Sequence, residues 1–127
     1  MGTLHRVLLV DDDKTMNFLS QLVLKEMDAA EEVRVALDGQ AACELIETDD
    51  CPDVIFLDIR MPRMDGFEFL EILSTKGKCK DVKVVMLTSS TRPEDQQKAF
   101  AYENVVEYFE KPLTEESVRK VVNKYFA

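Results

Sequence analysis

The chain reads as an α/β protein: a doubly wound, five-stranded parallel sheet, order 2-1-3-4-5, flanked by five helices. Three observations predict it. Strand-like and helix-like periods alternate five times along 127 residues. Three of the strand candidates are nearly continuous apolar runs, as expected where helices cover both sheet faces. Polar, chemically capable residues follow the strands at once: Val7–Val10 runs into Asp11-Asp12-Asp13, Val54–Leu57 into Asp58, Val84–Leu87 into Thr88-Ser89-Ser90, and Val105–Phe109 leads to Lys111-Pro112. In such sheets, ligands bind outside the carboxyl ends of the strands, where strand order reverses.

The first strand is expected over Arg6–Val10. A helix follows over Lys14–Met27, with Met16, Leu19, Val23 and Met27 predicted along one inward face. Val33–Leu37 reads as strand two. Asp38 caps a short helix with Ala42, Leu45 and Ile46 inward. Cys51-Pro52 breaks the chain before strand three, Asp53–Leu57. The loop Asp58–Met64 leads to Asp65, read as the cap of a helix over Phe67–Leu73. Gly77 is the expected helix stop within a basic turn, Lys76–Lys80, whose lysines, like Lys83, read as solvated. Strand four is Val82–Leu87. The helix after it, Pro93–Tyr102, offers only Ala99, Phe100, Ala101 and Tyr102 for packing and is expected to be the least stable. Strand five is Val105–Phe109. The last helix, Thr114–Phe126, carries a stripe at Val118, Val121, Val122, Tyr125 and Phe126. Residues 1–127 are expected to form one domain.

Composition narrows the function. A formal charge of −9 argues against free nucleic acid as a direct partner, because phosphate backbones call for basic patches. No run approaches the roughly 18 apolar residues of a membrane span. No secretory h-region precedes the first strand, and Gly2 is a poor lipidation site because the strand follows at once, so a cytoplasmic location is expected. Cys43, Cys51 and Cys79 are odd in number and lack CxxC spacing. They are read as free thiols of a reducing compartment rather than zinc ligands.

Strands one and three are neighbours in the predicted order, so Asp11–Asp13 and Asp58 should face one another. Two unit charges about 4 Å apart repel by about 4 kcal/mol at an effective dielectric of about 20. Such a cluster therefore demands a counter-charge. Magnesium takes oxygen ligands and shares them with phosphate, and Lys111 can add a second positive charge. An aspartate held against both can accept a phosphoryl group as an acyl phosphate.

With these residues in view, the chain resembles the receiver domains of two-component response regulators over essentially its full length. The matching pieces are Val-Asp-Asp at 10–12, Leu-Asp-Ile-Arg-Met-Pro-Arg-Met-Asp-Gly at 57–66, Leu-Thr-Ser at 87–89 and Tyr-Phe-Glu-Lys-Pro at 108–112. Ending soon after the fifth helix, it resembles the stand-alone members. The resemblance implies that Asp58 is the phosphoacceptor, served by a histidine kinase or phosphotransfer protein. It implies that Asp11 and Asp12 form the acidic pair that binds Mg2+, with Asp58 and the backbone carbonyl of Arg60 completing the protein ligands. Lys111 would contact the phosphoryl oxygens, Thr88 would turn inward to them, and Tyr108 would rotate with it as a switch. Lys111-Pro112 matches a bond that is often cis. The output would be altered binding of another protein by the face of helix four, strand five and helix five, with the chain a monomer or weak dimer and not a turnover enzyme.

Some positions are less standard. Asp13 is placed at the surface or the rim of the pocket. Arg60 and Ser90 occupy positions that tune phosphate loss in the family. Asn104 stands where glycine is usual, a mild departure if the backbone there is left-handed. His5, the only histidine, is read as an exposed bystander. Two readings of other classes compete: a docking module that is never phosphorylated, and a magnesium phosphohydrolase with an aspartyl nucleophile. The second commonly wants an acid two residues after the nucleophile, where Arg60 stands. A flavin site is weaker still, since Asp11–Asp13 would repel its phosphate.

Overall fold

Alternation of apolar strands with amphipathic helices produces a three-layer sandwich in the computed structural model, which describes residues 4–76, 78, 79 and 81–126. The elements are β1 (Leu4–Val10), α1 (Lys14–Glu26), β2 (Ala30–Ala36), α2 (Gly39–Thr48), β3 (Val54–Leu57), α3 (Gly66–Lys76), β4 (Lys83–Thr88), α4 (Pro93–Phe100), β5 (Val105–Glu110) and α5 (Glu115–Tyr125). The sheet order is β2-β1-β3-β4-β5, with every pair parallel. Expectations for Gly2, Gly77 and Lys80 lie outside the described residues.

Period-two alternation divides the core. Leu8, Val10, Ile55, Leu57, Val84 and Met86 face α2, α3 and α4. Val7, Leu9, Val54, Phe56, Val85 and Leu87 face α1 and α5. Every one of these twelve is buried, so no strand in the centre of the sheet has a wet face. The register places Val10 beside Leu57, and Leu57 beside Met86. The residues following β1, β3 and β4 therefore emerge along one edge. A register irregularity lies between Val84 and Val85 where β4 meets β5.

Four expectations need correction. The fully buried stripe of α1 is Asn17, Ser20 and Leu24; of the expected stripe, Val23 and Met27 are half-buried against the core, whereas Leu19 is 41% exposed. Two of the three fully buried residues are polar, so apolar periodicity marks the margin of the buried face and misses its centre. The second strand starts three residues earlier, at Ala30, and excludes Leu37. It is an edge strand, where Glu31, Glu32 and Arg34 are tolerated because one side meets solvent. Asn104 is not among the positive-φ residues, which are Asp28 and Arg63 among the described non-glycines. Its side-chain amide instead donates to Val82 O at 2.9 Å, tying the start of β5 to the start of β4.

The cysteines are the fourth. Cys51 and Cys79 are joined in a disulfide with Cα atoms 5.6 Å apart, and Cys43 alone is free. The two are 28 residues apart, yet each lies just before one of two adjacent parallel strands. Parallel pairing brings those entry ends together, a proximity that spacing alone does not display. The argument from free thiols to a reducing compartment falls with it.

Candidate acidic site at the sheet edge

Asp11 follows β1 directly, and its carboxylate is drawn back over its own turn, accepting from Asp13 N at 2.9 Å. Its carbonyl is held from α1 by the Asn17 amide at 2.8 Å, which explains why a polar residue occupies the buried face of that helix. Asp12 is exposed. Asp13 is not a pocket residue: it caps α1, accepting from Met16 N.

Asp58 follows β3 and is 6% exposed. One oxygen accepts from Ile59 N at 2.8 Å, the other from Lys111 Nζ at 3.0 Å. Lys111 also lies 2.7 Å from the second oxygen of Asp11, so one ammonium bridges two buried carboxylates. Burial pushes the Asp11 carboxyl above its ordinary range, with the Lys111 and Asp13 contacts only partly offsetting it. Burial alone would lower Lys111, but its hydrogen bonds to Asp11 and Asp58 prevail and hold it above the usual lysine value. Lys111 directly follows β5, and its bond to Pro112 is cis. Its backbone N–H donates to Thr88 O at 2.9 Å.

Asp11, Asp12 and Asp58 each bring a carboxylate oxygen within 4.8 Å of the others. Three hard, anionic oxygens around one small space suit a hard divalent cation such as Mg2+. Arg60 is exposed in the loop after Asp58. That loop is fixed from outside. Gly39 N donates to Met64 O at 3.0 Å, and Gly66 N to Ile59 O at 2.8 Å. Gly66 admits nothing larger, since a Cβ there would lie 2.3 Å from Asp58 O. Asp65 and Glu68 form a reciprocal capping box at the start of α3, so Asp65 is a helix cap, as expected.

Thr88 ends β4 and is buried; its Oγ1 accepts from Ser90 N at 3.3 Å. The Tyr108 hydroxyl donates to Ser90 O at 3.0 Å, and its ring lies 6.4 Å from that of Phe100. Ser90 Oγ donates to Asp95 at 2.6 Å, fastening the loop to α4. His5 is exposed and far from this edge, its imidazole paired with Glu31.

Two contacts had no signal in the sequence: the pairing of Asp38, expected only as a cap, with Arg63, and the burial of Glu107. Asp38, 1% exposed, caps α2 through Ala41 N at 2.8 Å and also accepts from Arg63 Nε at 2.8 Å. It thereby ties α2 to the loop bearing Arg60. Glu107, a buried acid in β5, accepts from Tyr125 at 2.6 Å and Lys124 at 3.2 Å. An acid in an apolar strand looks outward-facing until its partners on α5 are seen.

A sequence model of the response regulator receiver domain matches residues 7–123. The chain belongs to that family. The receiver fold is shared with a two-component response regulator from Cytophaga hutchinsonii, 32% identical, covering 97% of each chain with a TM-score of 0.87. It is shared also with the Vibrio cholerae chemotaxis protein CheY4, 30% identical over 96% of this chain and 98% of that one, TM-score 0.81. By sequence, the receiver is 31% identical to Protein PilG of Pseudomonas aeruginosa over 89% of this chain and 81% of PilG. Other relatives are far longer: this receiver spans 23% of a protein-glutamate methylesterase/protein-glutamine glutaminase of Dechloromonas aromatica, at 42% identity over 68% of this chain.

Proposed function

We propose that residues 1–127 form one receiver domain of a phosphorelay, in which Asp58 accepts a phosphoryl group from the phosphohistidine of a histidine kinase or phosphotransfer protein. The observation that carries this reading is Lys111 Nζ bridging Asp11 and Asp58 beside a cluster of three carboxylates. An Asp58 oxygen attacks phosphorus; the P–N bond to the donor imidazole breaks and an O–P bond forms. Mg2+, held by Asp11, Asp12, Asp58 and the Arg60 carbonyl, would neutralise charge on the phosphoryl oxygens. Lys111 is already within reach of Asp58 and can follow those oxygens as they arrive.

Thr88 and Tyr108 are the proposed switch, and the hydrogen bonds suggest how they are linked. Thr88 Oγ1 takes the Ser90 N–H, and Ser90 O takes the Tyr108 hydroxyl. Phosphorylation adds about −1.5 to −2 charge and new acceptor oxygens at Asp58. Turning Thr88 toward them gives up its bond from Ser90 and loosens the seat of Tyr108. The surface of α4, β5 and α5 then changes its affinity for an output protein, biasing two states that already exist. We place the protein in the cytoplasm, where such donors work, and assign it no multiple-turnover activity on free phosphate esters.

The test is incubation with Mg2+ and acetyl phosphate, followed by intact mass. One phosphoryl increment is expected on the native chain, and none on Asp58→Asn or without the divalent cation. An unmodified native chain under these conditions would leave only a docking role.

A further inference from the structure

The acidic site occupies one edge of the sheet; the Cys51–Cys79 bridge occupies the other. Cys51 stands in the segment before β3 and Cys79 in the turn before β4. Val54 lies opposite Lys83, so the bridge staples the entry ends of the two strands whose far ends present Asp58 and Thr88. The two residues differ in exposure. Cys51 is exposed, whereas Cys79 is 3% exposed and packed in the cluster that holds Leu73 and Val82. Cys43 is half-buried and unbridged, and burial pushes its thiol above the ordinary value, so it is a poor competitor for exchange.

We propose that Cys51–Cys79 is a reversible redox modification site, opened by a dithiol reductant, that sets the stability of the fold and leaves the acidic site intact. This goes beyond the phosphoacceptor reading and does not depend on it. One thiolate of the dithiol attacks the sulfur of Cys51, the more exposed residue of the pair. A mixed disulfide forms there, the Cys51–Cys79 bond breaks, and Cys79 leaves as a thiolate that takes a proton. The second thiol of the reductant then attacks its own sulfur in the mixed disulfide. That closes the reductant's disulfide and releases Cys51 as a thiol. Two electrons and two protons pass from the dithiol to the cysteine pair. A low-molecular-weight disulfide reverses the sequence.

The bridge encloses a loop with a sequence separation of 28, containing β3 and α3. Opening it restores freedom chiefly to the unfolded chain, and the melting temperature should fall by roughly 10 °C. Cys51 precedes Asp58 by seven residues of mostly extended chain, roughly 20 Å, so phosphoryl chemistry should be spared.

The full chain is oxidised with glutathione disulfide, then treated with dithiothreitol without denaturant. Thiols are alkylated in denaturant and counted by intact mass. One adduct, on Cys43, is expected before reduction, three after it, and one again after re-oxidation. The melt should drop by roughly 10 °C on reduction, with Cys51→Ser and Cys79→Ser already at the lower value and indifferent to reductant. Acetyl phosphate labelling should agree within about twofold between the two states, as for well-separated sites. Three adducts in the oxidised sample, a bridge that resists native reduction, or a melt that ignores reduction would each overturn the proposal. So would labelling that tracks redox state. Absent labelling in both states would instead defeat the phosphoacceptor reading, while the thiol counts would still decide this one.

Discussion

Asp38 shows how much one buried side chain can fix. It satisfies an orphan N–H of α2 and receives the guanidinium of Arg63, a residue whose φ of 65° is unusual outside glycine. Asp38→Ala should lower stability by about 1–2 kcal/mol in urea unfolding, mostly through the lost cap, because the Arg63 side chain is 68% exposed and solvent weakens the ion pair. Arg63→Gly should stay within about 0.5 kcal/mol of the parent, since glycine relieves the backbone at the position where the pair is lost. Gly66→Ala is expected to be far worse, about 3 kcal/mol or more by the same measurement, because the new methyl would meet the carbonyl of Asp58. At this scale the sequence was most readable where function sits at strand ends. Asp11, Asp58 and Lys111 could be placed because an apolar run announces each of them. Asp38 was legible as a cap, but its partner lies 25 residues on, with no pattern joining the two.

Helix α1 is the element where periodicity misled. Met16, Phe18, Leu19, Leu22, Val23, Leu24 and Met27 supply apolar groups around most of the helix, so no single face stands out. The choice is made by Asn17, which must reach Asp11 O, and by Leu24, which enters the core. Leu24→Ala should therefore destabilise by about 2–5 kcal/mol in urea, and Leu19→Ala by no more than about 0.5 kcal/mol. Strand β5 and helix α5 are joined by Glu107. Burial pushes its carboxyl up, but the Tyr125, Lys124 and Lys120 contacts outweigh that and leave it below the ordinary glutamate value of 4.5. An acid with a lowered folded-state pKa contributes stability above its unfolded pKa and loses it as pH falls through the folded value. The stability advantage of the native chain over Glu107→Gln should thus be complete near neutrality and shrink steadily below about pH 4.5. Equilibrium unfolding of both proteins across that range checks the sign. Helix α4 behaves as its composition says: Ala99 is its one buried residue, and Phe100 is 49% exposed.

For the molecule as a whole, strand order was recoverable because central strands apolar on both faces admit few topologies. The disulfide was not, since it depends on which strand ends become neighbours. Folding brings Asp11, Asp12 and Asp58 together against their mutual repulsion, with Lys111 relieving part of it. A divalent cation that relieves the rest should raise the melting temperature. At a concentration about 100 times its Kd the gain is about 2.7 kcal/mol. Differential scanning calorimetry with Mg2+ or a chelator should show that shift in the parent and a much smaller one in Asp12→Asn.

The stays between α2 and the segment after Asp58, Gly39 to Met64 and Asp38 to Arg63, carry this last point further. The segment is held at Met64 O and at the Arg63 side chain before any ion arrives, so less of it is left for an ion to order. In the proposed site, then, a helix that donates no ligand governs the ion's affinity by sparing it the entropy of ordering a loop. Fraying the first turn of α2 should be felt as weaker magnesium binding, on the far side of a chain segment that the ion never touches.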